Sequence, residues 1–196
     1  MDNITLEIDG KEVKAYETMT VLQAARLADL EIPTLCYNEK LAPYGGCRLC
    51  LVELTKNSRT RLVASCVYPA EAGLVIKTDT DRLRKIRRML LELILPLSPT
   101  GPVLALAEKH GLKRSRFTAE QSDCVLCGLC VRYCAEIKKA NAVGFTGRGI
   151  DRKAAYLPDI ASSVCAACRE CWTLCPSGKV VLETDGACFP KPDWEK

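Results

Sequence analysis

The sequence predicts an α+β chain of two small parts bridged by a helix. Three observations carry this: strand-like alternation followed by a helical stretch at the start, a leucine-rich helical stretch in the middle, and one four-cysteine spacing that occurs twice towards the end. A length of 196 residues suits one or two domains. The residues are 48% hydrophobic but only 6% aromatic, so the core rests on Leu, Val, Ile and Ala and is thin for two separate parts. Something besides apolar packing must help to hold them. Collagen-like and disordered classes are excluded by the same composition.

Ile4, Leu6 and Ile8 alternate with Thr5 and Glu7, Asp9-Gly10 follows, and Lys11 to Tyr16 resumes a strand pattern, which is the signature of a hairpin. Thr20 is placed to cap a helix whose apolar positions Val21, Leu22, Ala25 and Leu27 recur at helical spacing, ending near Asp29 before Pro33. A hairpin followed by a helix suggests a β-grasp arrangement. Residues 43–50 are rich in turn formers, 50–54 and 61–67 read as short strands, and 73–77 as another. From 81 to 96, Leu83, Ile86, Leu90, Leu93 and Leu97 form a heptad-like face, widened by Met89, Leu91, Ile94 and Leu95. This reads as a core helix bridging the two parts or as a surface for a partner subunit. Its basic start, Arg82, Arg84, Lys85, Arg87 and Arg88, reads as a solvated face. Pro96, Pro99, Gly101 and Pro102 break the chain, and a short helix is expected over 103–110, before Gly111. The boundaries expected are therefore 1–80, a helical linker at 81–119, 120–185, and a tail at 186–196.

Nothing at Met1-Asp2-Asn3-Ile4-Thr5 resembles the basic start of a signal peptide. The longest apolar run, Met89 to Leu97, is interrupted by Glu92 and Pro96 and falls short of the ~18–20 residues of a membrane span. A cytoplasmic protein is expected, and disulfides are disfavoured there. The 13 cysteines then point to metal.

Cys124, Cys127, Cys130 and Cys134 follow C-x2-C-x2-C-x3-C, and so do Cys165, Cys168, Cys171 and Cys175, the latter closed by Pro176. This is the run that bacterial ferredoxins use for two [4Fe–4S] clusters, each run lending its fourth cysteine to the other cluster. The crossed assignment places Cys124, Cys127, Cys130 and Cys175 on one cluster and Cys134, Cys165, Cys168 and Cys171 on the other. Ala135 stands where the second run has its proline, and the residues between the runs hold an insertion around Gly144 to Leu157. Structural zinc uses separated C-x2-C pairs and fits this density poorly. Leu126, Leu129, Ala166, Ala167 and Trp172 are candidates to exclude water from the clusters.

Cys36, Cys47, Cys50 and Cys66 form a third set, with Gly45 and Gly46 beside its central pair. Plant-type ferredoxins hold a [2Fe–2S] centre with C-x4-C-x2-C and a distant fourth cysteine. The set is a variant with a longer first loop, for which a zinc knuckle is the alternative. Cys188 is left over as a bystander, and His110 reads as a surface residue at a helix end. The formal charge of +4 changes meaning with three clusters present, because each oxidised centre with four thiolates brings about −2 and the total falls near −2. The basic residues are then compensation for cluster charge and poor evidence for nucleic acid.

The stretches Tyr44-Gly45-Gly46-Cys47-Arg48-Leu49-Cys50, Ser65-Cys66-Val67-Tyr68-Pro69, Gly73-Leu74-Val75-Ile76-Lys77-Thr78, Arg87-Arg88-Met89-Leu90-Leu91-Glu92-Leu93 and Gly147-Arg148-Gly149 resemble the N-terminal part of the large iron–sulfur subunit of respiratory complex I. The diaphorase iron–sulfur subunit of NAD-linked hydrogenases, iron-only hydrogenases and NAD-linked formate dehydrogenases share that module. The resemblance implies a β-grasp [2Fe–2S] ferredoxin-like domain, a helical linker and a bacterial-type 2[4Fe–4S] ferredoxin-like domain. It implies electron transfer between a flavin- and NAD(P)-binding subunit and a catalytic partner or ferredoxin, electron-bifurcating complexes included. FMN or FAD and NAD(P) are then expected only in partner subunits. Those partners would include a small thioredoxin-like [2Fe–2S] subunit and a hydrogenase, formate dehydrogenase or transhydrogenase-type subunit. One departure stands out. Many members carry a His-x3-Cys-x2-Cys-x5-Cys cluster after the leucine-rich helix, and here that region reads Leu97-Ser98-Pro99-Thr100-Gly101-Pro102, with no cysteine between Cys66 and Cys124. A hydrogenase or molybdenum domain is likewise not expected so close after Cys175. A self-contained enzyme is opposed by the lack of a G-x-G-x-x-G or P-loop run, and a zinc-binding interaction module by the paired ferredoxin spacing.

Overall fold

The computed structural model describes residues 3–118 and 124–177. They fall into two compact units, one formed by the chain to Tyr37 with Ala42–Leu91, the other by Asn38–Leu41 and the described chain from Glu92. The fold class is α+β. Cys188 and the expected tail lie outside the described residues.

The first unit opens with β1 (Asn3–Ile8) and β2 (Lys11–Tyr16), paired antiparallel through a turn at Asp9 and Gly10. Both turn residues have positive φ, 51° and 80°, the backbone that matches the right-handed twist of a two-residue hairpin. The helix α1 (Val21–Leu27) starts with a capping box: the Thr20 hydroxyl accepts from the Gln23 N–H, and the Gln23 side chain accepts from the Thr20 N–H. Three further strands, β3 (Leu51–Lys56), β4 (Arg59–Ala64) and β5 (Val75–Lys77), complete a sheet ordered β2-β1-β5-β3-β4, in which only β1 and β5 run parallel. Ile4, Leu6 and Ile8 point inward on alternate positions and meet Val21, Leu22, Ala24 and Ala25 of α1, with Val52, Leu54 and Ile76 completing the core.

The strand read at 61–67 is displaced. It starts at Arg59, because Asn57 and Ser58 take positive φ and close a second tight hairpin, and it stops at Ala64. There the N–H groups of Val67 and Tyr68 both turn back onto the Ala64 carbonyl. The turn is fastened to the start of α1, since Leu22 N–H donates to Ser65 O (3.0 Å) and Val21 N–H to Tyr68 O (2.9 Å). Cys66 is fixed between those two bonds.

The linker helix α2 spans Asp81–Ile94. Its buried face is Leu83, Arg87 and Leu91, whereas Met89 and Leu93 are about half exposed. This corrects the heptad face read from the sequence. Arg87 turns inward because two backbone carbonyls, described below, accept from its guanidinium, and the helix rotates its leucines accordingly.

In the second unit a 3-10 turn at Leu95–Leu97 precedes α3 (Gly101–Lys109). This helix begins two residues before the expected start because Pro102 occupies the first turn, where no N–H is required. His110 is its C-cap and is half-buried, not a free surface residue. Then come α4 (Leu129–Glu136), a two-stranded hairpin of β6 (Val143–Thr146) and β7 (Lys153–Tyr156), α5 (Pro158–Cys168), and a 3-10 turn at Trp172–Leu174. The hairpin is what the insertion between the cysteine runs becomes. Among the described residues, no helix is long and apolar enough to cross a membrane.

Candidate metal centres

In the first unit the four thiols of Cys36, Cys47, Cys50 and Cys66 come together as two pairs. The Cys47 N–H points at the Cys36 sulfur (3.3 Å), and the Cys50 and Cys66 sulfurs are 3.3 Å apart, sharing a hydrogen bond. None of the twelve described cysteines is in a disulfide. Hydrogen bonding from Cys36 brings the Cys47 thiol down to about 6, and hydrogen bonding from Cys66 brings Cys50 down to about 7. Cys36 and Cys66 move the other way, raised by the hydrogen bond within each pair and further by burial. A metal bound here must displace the protons that these thiols carry.

The loop carrying the central cysteines is narrow. Gly45 has φ +66°, and a Cβ there would lie 2.8 Å from Val67 Cγ2; one on Gly46 would lie 2.5 Å from the Tyr44 ring. The glycines let the backbone fold tightly past Cys47. On the other side Arg87 donates from Nε to Leu49 O (3.2 Å) and from an NH2 group to Leu51 O (2.8 Å), bracketing Cys50. Burial lowers its pKa, and the charges of Asp79 and Cys50 oppose that shift. Of the basic run, Arg82, Arg84, Lys85 and Arg88 are exposed as expected, while Arg87 is 3% exposed and supports the thiol loop.

In the second unit the two cysteine runs take unlike local structures. Cys124 and Cys127 lie in a loop with Leu126 at φ 51° and Gly128 at φ 74°, and Cys130 and Cys134 stand four residues apart on α4. In the second run Cys165 and Cys168 close α5, whose end is set by Arg169 at φ 46°, and Cys171 and Cys175 flank the 3-10 turn. The sulfurs bound two small cavities of similar size. One is lined by Cys124, Cys127, Cys130 and Cys175 with Leu126, Val143, Phe145, Ala154 and Tyr156. The other is lined by Cys134, Cys165, Cys168 and Cys171 with Val143, Tyr156 and Trp172.

These thiols suit a polynuclear cationic group. Burial and the neighbouring thiols Cys127, Cys171 and Cys175 push Cys130 up to about 12; burial pushes Cys171 up to about 11. Four thiolates cannot share such a space without positive charge, which iron supplies. Among the described residues no three His, Cys, Asp or Glu side chains are grouped to hold a single ion. The Ala142 N–H donates to the Cys134 sulfur (3.1 Å), and the Tyr156 hydroxyl is buried beside both cavities with no hydrogen-bond partner. Unused donors of this kind are what cluster sulfurs accept from.

Of the water-excluding residues read from the sequence, Leu129 is buried, and Leu126 and Trp172 line one cavity each. Ala167 is exposed on α5, because the helix turns Cys165 and Cys168 inward and that position outward. The side chain of Ala166 lies outside the described residues. The sequence reading missed the contribution of the β6–β7 hairpin, whose Val143, Phe145, Ala154 and Tyr156 supply the apolar walls. It also missed a clamp on the second run: the Tyr133 hydroxyl donates to Glu170 Oε2 (2.6 Å), and Lys138 pairs with the same carboxylate. Only the insertion of β-prone residues between Gly144 and Leu157 could have signalled the first, and no sequence pattern signals the second.

Residues 1–81 match a family described as a 2Fe-2S iron-sulfur cluster binding domain, and residues 108–179 a 4Fe-4S dicluster domain. The chain is 29% identical to subunit HndD of the NADP-reducing hydrogenase of Solidesulfovibrio fructosivorans, covering 92% of this chain and 36% of the relative. It is 31% identical to the mitochondrial NADH dehydrogenase [ubiquinone] iron-sulfur protein 1 of Solanum tuberosum, covering 99% and 29%. It is 30% identical to the alpha subunit of the NADPH-Fe(3+) oxidoreductase of Geobacter sulfurreducens, covering 91% and 24%. The chain thus spans from about a quarter to just over a third of the length of these relatives. A chain in the crystal structure of NAD+-reducing [NiFe]-hydrogenase in the H2-reduced state superposes with a TM-score of 0.70 at 30% identity, over 78% of this chain and 74% of that one.

Proposed function

We propose that this chain, which belongs to the family of iron–sulfur electron-transfer subunits of complex I and of NAD(P)-linked hydrogenases and oxidoreductases, holds one [2Fe–2S] and two [4Fe–4S] clusters. It works between a flavin- and NAD(P)-binding subunit and a catalytic partner. The observation that carries the reading is the pair of thiol-lined cavities in the second unit, each drawing three cysteines from one run and the fourth from the other. The ligands proposed are Cys124, Cys127, Cys130 and Cys175 for one [4Fe–4S] cluster and Cys134, Cys165, Cys168 and Cys171 for the other. The pairs Cys36 with Cys47 and Cys50 with Cys66 would each take one iron of the [2Fe–2S] centre. Such clusters supply one-electron transfer at potentials set by charge, hydrogen bonds to sulfur and burial.

The chain's own residues hold and insulate. Arg87 fixes the backbone on both sides of Cys50, the Gly45–Gly46 segment lets the loop close, and the β6–β7 hairpin keeps water from the paired cavities. The boundaries proposed are 1–80 for the first cluster domain, 81–119 for a linker without a cluster of its own, 120–185 for the dicluster domain and 186–196 for the tail. With α2, the 3-10 turn and α3 occupying the linker, electrons pass between the centres directly or through a partner subunit. The hydrogenase names among the relatives favour a hydrogenase as the catalytic partner; formate dehydrogenase and transhydrogenase-type partners, a thioredoxin-like [2Fe–2S] subunit, electron bifurcation and a cytoplasmic setting belong to the same proposal.

Reduction tests it. The anaerobically purified chain should be reduced by dithionite and not by NADH or NADPH. One nucleotide should become an effective reductant when the co-purifying flavin subunit is added back. Direct reduction of the isolated chain by nucleotide, or no gain on adding the subunit, would overturn the reading.

A further inference from the structure

Two residues line both thiol cavities, Val143 and Tyr156. They are opposite one another in the β6–β7 register. The hairpin therefore places one cross-strand pair beside both cysteine sets, and one member of that pair carries a hydroxyl.

That hydroxyl is sealed from solvent and has no hydrogen-bond partner. A buried donor left without an acceptor is destabilising, a cost that phenylalanine would avoid while filling the same space. The groups around it are sulfurs: Cys171 interacts with it most directly, with the charges of Cys130 and Cys165 nearby. That interaction falls short of formed hydrogen-bond geometry. The sulfur is a neutral thiol without metal and an anion with it. A charged sulfur accepts a shorter and stronger bond than a neutral one.

Resting on the cluster assignment above, we propose that Tyr156 donates a hydrogen bond to the Cys171 sulfur and thereby raises the potential of the [4Fe–4S] cluster held by Cys134, Cys165, Cys168 and Cys171. The sign follows from charge. Reduction adds an electron to the cluster and its thiolates, the sulfurs become better acceptors, and the donor stabilises the reduced state more than the oxidised one.

The test is an EPR-monitored redox titration of the cluster-loaded full chain and its Tyr156→Phe variant, with the two [4Fe–4S] signals distinguished by the one that Cys175→Ser alters. Both signals should persist at full intensity in Tyr156→Phe. The cluster unaffected by Cys175→Ser should titrate lower, its oxidised-to-reduced ratio at fixed potential changing about tenfold, equivalent to about 59 mV for one electron. Unchanged midpoints with both signals present, or a shift confined to the other cluster, would overturn the inference and leave the cluster assignment standing. Absence of two [4Fe–4S] signals from the wild type would overturn the assignment itself. Should Tyr156→Phe fail to take up clusters, 3,5-difluorotyrosine at position 156 is a stronger donor of similar shape. It should move the same midpoint upward, and no movement would overturn the inference.

Discussion

Among the described residues, the main buried cluster of the N-terminal unit contains eighteen side chains, of which two, Cys50 and Cys66, are thiols, and Cys36 is buried outside it. The core around Ala142 and Val143 in the second unit contains seven, of which three, Cys130, Cys134 and Cys165, are thiols, and the partly buried residues packed on it include Cys124, Cys171 and Cys175. The first unit has a five-stranded sheet and a capped helix that bury apolar surface chiefly among residues that are not cysteines. The second has a two-stranded hairpin, marginal by itself in water, and short helices packed on sulfur. One region holds its thiols on a fold with a core of its own, whereas the other is organised around its thiols.

Removal of iron is the strongest way to break this comparison. Under chelation, hydrogen exchange should leave the amides of β1, β3 and β5 protected, while those of α4, β6 and β7 lose protection together. Equal loss in both units would abolish the distinction. Cys175→Ser is the next largest perturbation. It should damage the [4Fe–4S] cluster whose other ligands lie in the first run and spare the one containing Cys165, Cys168 and Cys171. EPR showing the reverse would refute crossed ligation.

Legibility in the sequence differed between the units for a related reason. The β1–β2 hairpin, the α1 cap and the cysteine spacings are local, so side-chain period, turn chemistry and short intervals reveal them. The β6–β7 hairpin carries Gly144, Gly147 and Gly149 and pairs around an irregular turn, so its alternation is weak and it reads only as an insertion. Arg87 sits in a basic run, and nothing in its neighbourhood shows that carbonyls at Leu49 and Leu51 will draw it inward from nearly forty positions away. Tyr156 belongs to no pattern; its place depends on the register with Val143.

Smaller changes sharpen the comparison. Arg87→Met leaves two carbonyls beside Cys50 without their donor and should destabilise the first unit by about 2–4 kcal/mol, read as a lower denaturant midpoint of its sheet. The EPR signals of the two [4Fe–4S] clusters should not change. Glu170→Gln should have the smallest effect. Hydrogen bonds from Lys138 and then Tyr133 hold the Glu170 carboxyl below its usual value. Its contribution is complete above the unfolded carboxylate pKa of about 4.3 and disappears as pH falls through the lower folded value. The wild type and Glu170→Gln should therefore differ slightly at neutral pH and converge in acid, with the difference screened by salt because the groups are exposed. A gap that widens in acid would contradict the assignment.

The most direct measurement of the central claim is iron and acid-labile sulfide per chain in anaerobically prepared protein, combined with EPR spin quantitation after dithionite reduction. The account predicts about ten irons and an equal number of sulfides, with one [2Fe–2S] and two [4Fe–4S] signals. Stoichiometric zinc with no sulfide, or iron sufficient for only one cluster in the second unit after full reconstitution, would contradict it.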